Sequence, residues 1–502
     1  MNFRRTVLLF CLGAGLAGPA LGATPADTAR SYVNTHRKAI TQEFLKLAAT
    51  PSLHGDVPNL KRNADLLMTM MQQRGLDPQM WNTSGGVPVI FGQKLAPGAK
   101  RTILFYAHYD GQPVDRKRWA QPDPFTPVIR TDLIEAGGKT VDALPDAIPD
   151  NWRIYARAAA DDKMSIETLL AAMDAIHSRP KENIKIILDG EEEGSGPGLE
   201  EVIKQYPDKL KSDLTVILDG PAHPLGKATI YYGARGGTGL TVTVFTAKQG
   251  MHSGNYGNWM PDANVRLAQL ISSMVDSTGK VIIPRYYGDV LPFSPDAIAM
   301  MKAVPDQTAE IRKAYGVGGT DGAASSLQEA INLPTFSVHM MSGGEVGGVI
   351  PASATAEIAM RLVKDNNART MVGRVEDFIR AQGYFIVDKD PDLATLAAHD
   401  KIAKITARAG NDAGGAWRTD PNDPQAMFAT QAIQSAWGKD NVVRIRTNGG
   451  SVPATPFINA FHVPVVGIPL ANFDDNQHSD NENLRLGNLF DGAVTLAGVM
   501  MH

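Results

Sequence analysis

Three short apolar runs constrain this chain most: residues 103–107, 184–188 and 214–218 each end directly in ionisable residues. The first is followed by His108, Tyr109 and Asp110, the second by Asp189 and Gly190, the third by Asp219 and Gly220. Runs of about five residues that are almost entirely apolar (Lys185 and Thr215 are the exceptions) suit a strand buried on both faces of a parallel sheet. A helical pattern over roughly 162–177 separates the first two runs, and another apolar run returns at 463–468. Strands alternating with helices predict an α/β fold. In such sheets, sites assemble at the carboxyl ends of the strands, where these polar residues fall.

The pattern changes at residue 234. Leu240, Val242 and Val244 alternate with threonines, as do Ala356, Ile358, Met360 and Leu362 with their neighbours, and 366–380 reads as a helix. Half-exposed strands of this kind are antiparallel. We therefore expect catalytic parts over 23–233 and 396–502, with an α+β domain inserted at 234–395. The Gly- and Pro-rich stretch 131–151 reads as a surface excursion.

Residues 1–22 read as a secretory signal peptide. Arg4 and Arg5 precede a short apolar stretch, and small residues lead to a cleavage point after Gly22. The mature protein is thus expected to be periplasmic or secreted, with no membrane contact after cleavage. The chain's one cysteine, Cys11, lies inside this leader, so a metal site in the mature protein must use histidine and carboxylate. With 49 Lys+Arg against 53 Asp+Glu there is no basic footprint for nucleic acid.

His108, Asp110, Asp161, Asp162, Glu191, Glu192, Glu193, Asp219 and His478 are the candidate chemistry. Taken singly, each has an ordinary explanation: a solvated acidic turn, a helix cap, a structural histidine. Together at strand ends they suit two divalent ions sharing one carboxylate, with a water made nucleophilic between them. A carboxylate left beside the ions would serve as general base.

These motifs also carry a resemblance. His108-Tyr109-Asp110-Gly111-Gln112-Pro113, Asp161-Asp162-Lys163, Gly190-Glu191-Glu192-Glu193, Asp219 and Asp474-Asp475-Asn476-Gln477-His478-Ser479 occur in this order. So do His252-Ser253-Gly254, Gly347-Gly348-Val349-Ile350-Pro351, Arg361 and Gly449-Gly450-Ser451. The sequence resembles the dizinc exopeptidases that include carnosinase-type dipeptidases, carboxypeptidase G, aminoacylases and succinyl-diaminopimelate desuccinylase, and most of all the dipeptidase branch.

The resemblance implies a zinc-exopeptidase-like α/β catalytic domain with an inserted lid and dimerisation domain, two Zn²⁺ per subunit, a homodimer and a small peptide substrate. It assigns His108 and Asp219 to one zinc, Glu193 and His478 to the other, and Asp161 to both. Glu192 would be the general base, and Asp110 would orient His108. His252 would reach across the dimer to the scissile carbonyl. Arg361 would grip the substrate carboxylate, with Gly449, Gly450 and Ser451 beside it. The glutamate register has two readings: without a gap the base and ligand are Glu192 and Glu193, and shifted by one they are Glu191 and Glu192. Met164 stands where these relatives usually carry glycine, and Ala156-Arg157-Ala158 replaces a glycine-richer run. An N-acyl amino acid deacylase would use the same site, and a peptide-binding protein without activity could share the fold.

Overall fold

The computed structural model describes residues 24–322, 324–344, 347–408 and 415–502. The expected signal peptide, 1–22, lies outside them.

An eight-stranded sheet forms the larger body. Its order is Gln79–Trp81, Val89–Lys94, Asn183–Asp189, Thr102–His108, Leu214–Ile217, Val465–Gly467, Ala228–Tyr231 and Val442–Ile445. The four middle strands, from Asn183–Asp189 to Val465–Gly467, run parallel. They are the expected apolar runs, buried almost throughout because helices cover both faces. Helices Pro25–Ala48, Val57–Gln73, Met164–Ala175, Pro424–Trp437 and Leu486–Met500 pack on one face. Gly198–Gln205 and Thr455–Phe461 pack on the other.

A second, five-stranded sheet has the order Ser337–Ser342, Ser353–Leu362, Gly236–Phe245, Ile402–Ala407 and Phe385–Val387. Strand Ser353–Leu362 buries alternate residues against helices Ala263–Ser272 and Ala368–Ala381. Two expectations are corrected here. Strand Ile402–Ala407 pairs with Gly236–Phe245, so this sheet extends past the expected boundary at 395. Only Ile402 and Ala403 of that strand are buried, which leaves no alternation to read.

The expected insert is also not a single unit. Helix Pro295–Ala303 lies against strand Val442–Ile445 of the large sheet, and Met300 packs on that body's core. Asn332 Oδ1 accepts from Thr447 Oγ1 at 2.8 Å, fixing the end of this stretch to the same body. The excursion 131–151 is held down as well. Ile148 is buried, and its carbonyl accepts from Arg37 at 2.8 Å. Among the described residues, no helix is long and apolar enough to cross a membrane.

Candidate metal centre

His108 ends its strand, Asp219 lies two residues past Leu214–Ile217, and Glu191 to Glu193 follow Asn183–Asp189. Asp161 sits in the turn that enters helix Met164–Ala175, and His478 sits in a loop beyond Val465–Gly467. Adjacent parallel strands thus bring the expected ligands to one rim. Two groups form: His108, Asp161 and Asp219, then Asp161, Glu193 and His478, with ligand atoms in each within 4.8 Å of one another. Asp161 belongs to both. Its Oδ1 is 3.0 Å from His108 Nε2, and its Oδ2 is 3.0 Å from His478 Nε2. Glu193 Oε2 lies 3.2 Å from His478 Nε2.

The three consecutive glutamates diverge. Glu192 and Glu193 line the cavity with the other ligands, while Glu191 turns away. A β-carbon on Gly85, Gly196 or Gly198 would come within 2.4–2.6 Å of Glu191, so those glycines make its berth. The geometry follows the ungapped register, with Glu193 facing His478.

Asp110 is completely buried. Its Oδ1 lies 3.3 Å from His108 Nδ1, and its two oxygens accept from the backbone N–H of Glu192 and Glu193 at 3.2 and 3.1 Å. One carboxylate therefore orients the histidine and sets the glutamate turn.

The electrostatics suit bound cations. Burial, then Asp161 and Glu193, push the Asp219 carboxyl up to about 7. Burial also holds Glu192 well above the usual carboxylate range; His108 opposes this, and Asp219, Glu193 and Asp161 add to it. Hydrogen bonds to Asp161 and Glu193 raise His478 to about 10. Carboxylates this close and this buried cannot all ionise unless positive charge sits among them. A donor set of histidine nitrogen and carboxylate oxygen, without sulfur, suits Zn²⁺ or a similar divalent ion.

Four supporting residues escaped the sequence reading of roles. Glu482 accepts from the backbone N–H of Ala158, Ala160 and Asp161 at 2.9, 2.9 and 3.0 Å, cradling the turn that carries Asp161. Arg157 pairs with Glu482 at 2.9 Å and donates to the Ser479 carbonyl at 2.9 Å, tying that turn to the His478 loop. Gln112 donates to Glu193 Oε2 at 2.8 Å, and Gln477 donates to Asp161 Oδ2 at 3.3 Å. Gln112 and Gln477 lay inside quoted motifs, and Glu482 lies four residues after His478. Ala158 adopts a left-handed φ of 60°, a conformation that favours glycine.

Asp161, Glu193, Asp219 and His478 open onto a cavity of about 710 Å³, while His108 is buried behind them. Arg361, Gly449, Gly450 and Ser451 line it too, with Arg361 Nη1 donating to Ser451 Oγ at 2.8 Å. Ile311, Tyr315 and Gln328, from the stretch that left the expected insert, complete its wall. A larger cavity of about 1030 Å³, bordered by Arg418, Asp420 and Arg444, contains none of the site residues. His252 is not brought to the cavity within one chain. It is exposed on the short strand Met251–His252, where its Nδ1 accepts from Gly254 N–H at 3.1 Å.

Known proteins match both sequence and fold. The chain is 28% identical over 431 residues to human Beta-Ala-His dipeptidase, covering 82% of this chain and 77% of that protein. It is 26% identical over 426 residues to a Cys-Gly metallodipeptidase of Candida albicans, covering 82% and 81%. The crystal structure of human carnosine dipeptidase 1 superposes with a TM-score of 0.74 at 25% identity, covering 95% of this chain and 98% of that one. An M20-family metallo-carboxypeptidase from Sulfolobus solfataricus shares the fold, with a TM-score of 0.72 at 22% identity over 92% and 98%. The sequence profile of peptidase family M20/M25/M40 matches residues 104–502, and the chain belongs to that family of metallopeptidases.

Proposed function

We propose that this protein is a periplasmic or secreted, homodimeric, dizinc exopeptidase. It acts as a dipeptidase or carboxypeptidase on the peptide bond next to a free carboxylate. One observation carries the reading: a single cavity is lined both by Asp161, Glu193, Asp219 and His478 of the two His–carboxylate groups and by Arg361 with Ser451. A substrate carboxylate could thus be held in the same cavity as the reacting centre. The names of the human and Candida albicans relatives support a dipeptide as the substrate.

Zinc ions held by His108, Asp161 and Asp219, and by Asp161, Glu193 and His478, would polarise the scissile carbonyl and acidify water. Glu192 takes the proton from the attacking water and hands it to the leaving amine. Asp110 keeps His108 in its ligating orientation. Arg361 pairs with the substrate carboxylate through its planar guanidinium.

The homodimer rests on the second sheet. Its edge strand Ser337–Ser342 is exposed along its whole length and presents Val338, Met340 and Met341, while nearby chain exposes Val349. An apolar edge of this kind pairs readily with a copy of itself. His252, paired with Val349 on that same domain, would then reach the partner's cavity and stabilise the developing oxyanion. The leader at 1–22 supports export.

A hydrolysis panel with metal analysis tests the reading, using protein recovered from the periplasm or medium with Ala23 at its N-terminus. Dipeptides should be cleaved in preference to longer peptides and to N-acetyl or N-succinyl amino acids. Two zinc ions per chain should be found, and chelation should abolish turnover. Preference for the N-acylated amino acids would replace the peptidase reading with a deacylase.

A further inference from the structure

We propose that Arg235 makes this cavity selective for peptides ending in aspartate or glutamate, seating the side-chain carboxylate while Arg361 and Ser451 seat the α-carboxylate. The inference rests on the reading above, in which Arg361 takes the α-carboxylate.

The cavity is lined by charges of both signs. Asp161, Glu192, Glu193 and Asp219 are its acidic residues, and Arg235 and Arg361 are the only Lys or Arg side chains among the residues lining it. Both arginines act on one loop at separate points. Arg235 Nε donates to the Gly449 carbonyl at 2.9 Å, and Arg361 Nη1 donates to Ser451 Oγ at 2.8 Å. The Arg235 backbone N–H donates to the Asn448 carbonyl at 3.2 Å, so this side chain is anchored at both ends.

Neither arginine pairs with a carboxylate among the described residues. Arg361 is exposed, whereas Arg235 is partly buried, and other largely buried arginines of the fold do pair: Arg74 with Glu43 and Asp174, Arg153 with Asp474, Arg157 with Glu482, and Arg374 with Asp289. Removing a guanidinium from water without a counterion is costly, and structural arginines here avoid it. Burial and then the neighbouring Arg361 lower the Arg235 guanidinium to about 10, so the two cations oppose each other. A single α-carboxylate neutralises one of them. A C-terminal acidic residue brings a second carboxylate and neutralises both.

The test compares kcat/KM for Ala-Ala, Ala-Asp and Ala-Glu in the full-length, metal-loaded enzyme and in Arg235→Gln and Arg235→Lys. Wild type should favour the acidic peptides by about tenfold or more, as charge-assisted recognition allows. Arg235→Gln should bring the acidic-to-neutral ratio close to one, mainly through KM, and Arg235→Lys should recover part of it. Absence of an acidic preference in wild type overturns the proposal. So does an equal loss on all three peptides in Arg235→Gln, which would mean that Arg235 only holds the 449–451 loop or shares the α-carboxylate. If N-acetyl amino acids are cleaved and dipeptides are not, the dipeptidase reading fails. Selectivity is then read from N-acetyl-glutamate against N-acetyl-alanine by the same criteria. A metal-loaded enzyme that cleaves neither class overturns both.

Discussion

Glu191, Glu192 and Glu193 are chemically identical neighbours with three different surroundings. Glu191 is wedged against glycines, Glu192 faces the ligands without joining either group, and Glu193 reaches His478 and Gln112. In the proposed mechanism Glu192 therefore carries the proton between water and the leaving group. Replacing it with Gln should lower kcat by about 10²–10⁴, the usual scale for a lost general base, with metal content unchanged. Glu191→Gln should reduce turnover far less. Near-normal turnover in Glu192→Gln, measured beside metal analysis, would remove its assigned role. The residue types were legible from sequence, since buried acids at strand ends have few other uses. Their register was not, because choosing between Glu191 and Glu193 requires knowing where a histidine nearly three hundred residues later comes to rest.

The central strands were readable because burial on both faces leaves a largely apolar run, and helices such as Pro424–Trp437 keep their periodicity. Elements held mainly by polar partners were not. The turn carrying Asp161 depends on Glu482, and that pairing with Arg157 spans 325 positions of chain. No local pattern encodes such a bond. Glu482 and Arg157 have side chains only 1% and 3% exposed, so removing one charge strands the other. Glu482→Gln should therefore cost about 3–5 kcal/mol, as breaking one partner of a buried pair does. Thermal melting should show a lower midpoint, and dialysis should strip metal faster as the Asp161 turn loosens. An unchanged midpoint with normal metal retention would mean that the backbone hydrogen bonds alone hold this turn.

For the whole molecule, the two bodies divide the proposed reaction between them. The larger body supplies every candidate metal ligand and Glu192, whereas His252 and Arg361 come from the body built on the second sheet. Arg361 reaches its own chain's cavity and His252 does not, so a complete site calls for a second copy. This arrangement makes a prediction that no single-chain site would share. His252→Ala and Glu192→Gln should each be nearly inactive as homodimers. In a heterodimer of the two, the subunit with intact Glu192 meets the partner's His252, and one of its two sites is complete. Equal mixing with full exchange places half the chains in heterodimers, so about a quarter of all sites should recover activity. The measurement is turnover after mixing under conditions that dissociate and reform the dimer, with each variant alone as the baseline. If the mixture shows no gain although mass analysis detects the heterodimer, His252 does not act across the interface, and the site would have to work with one chain's residues alone.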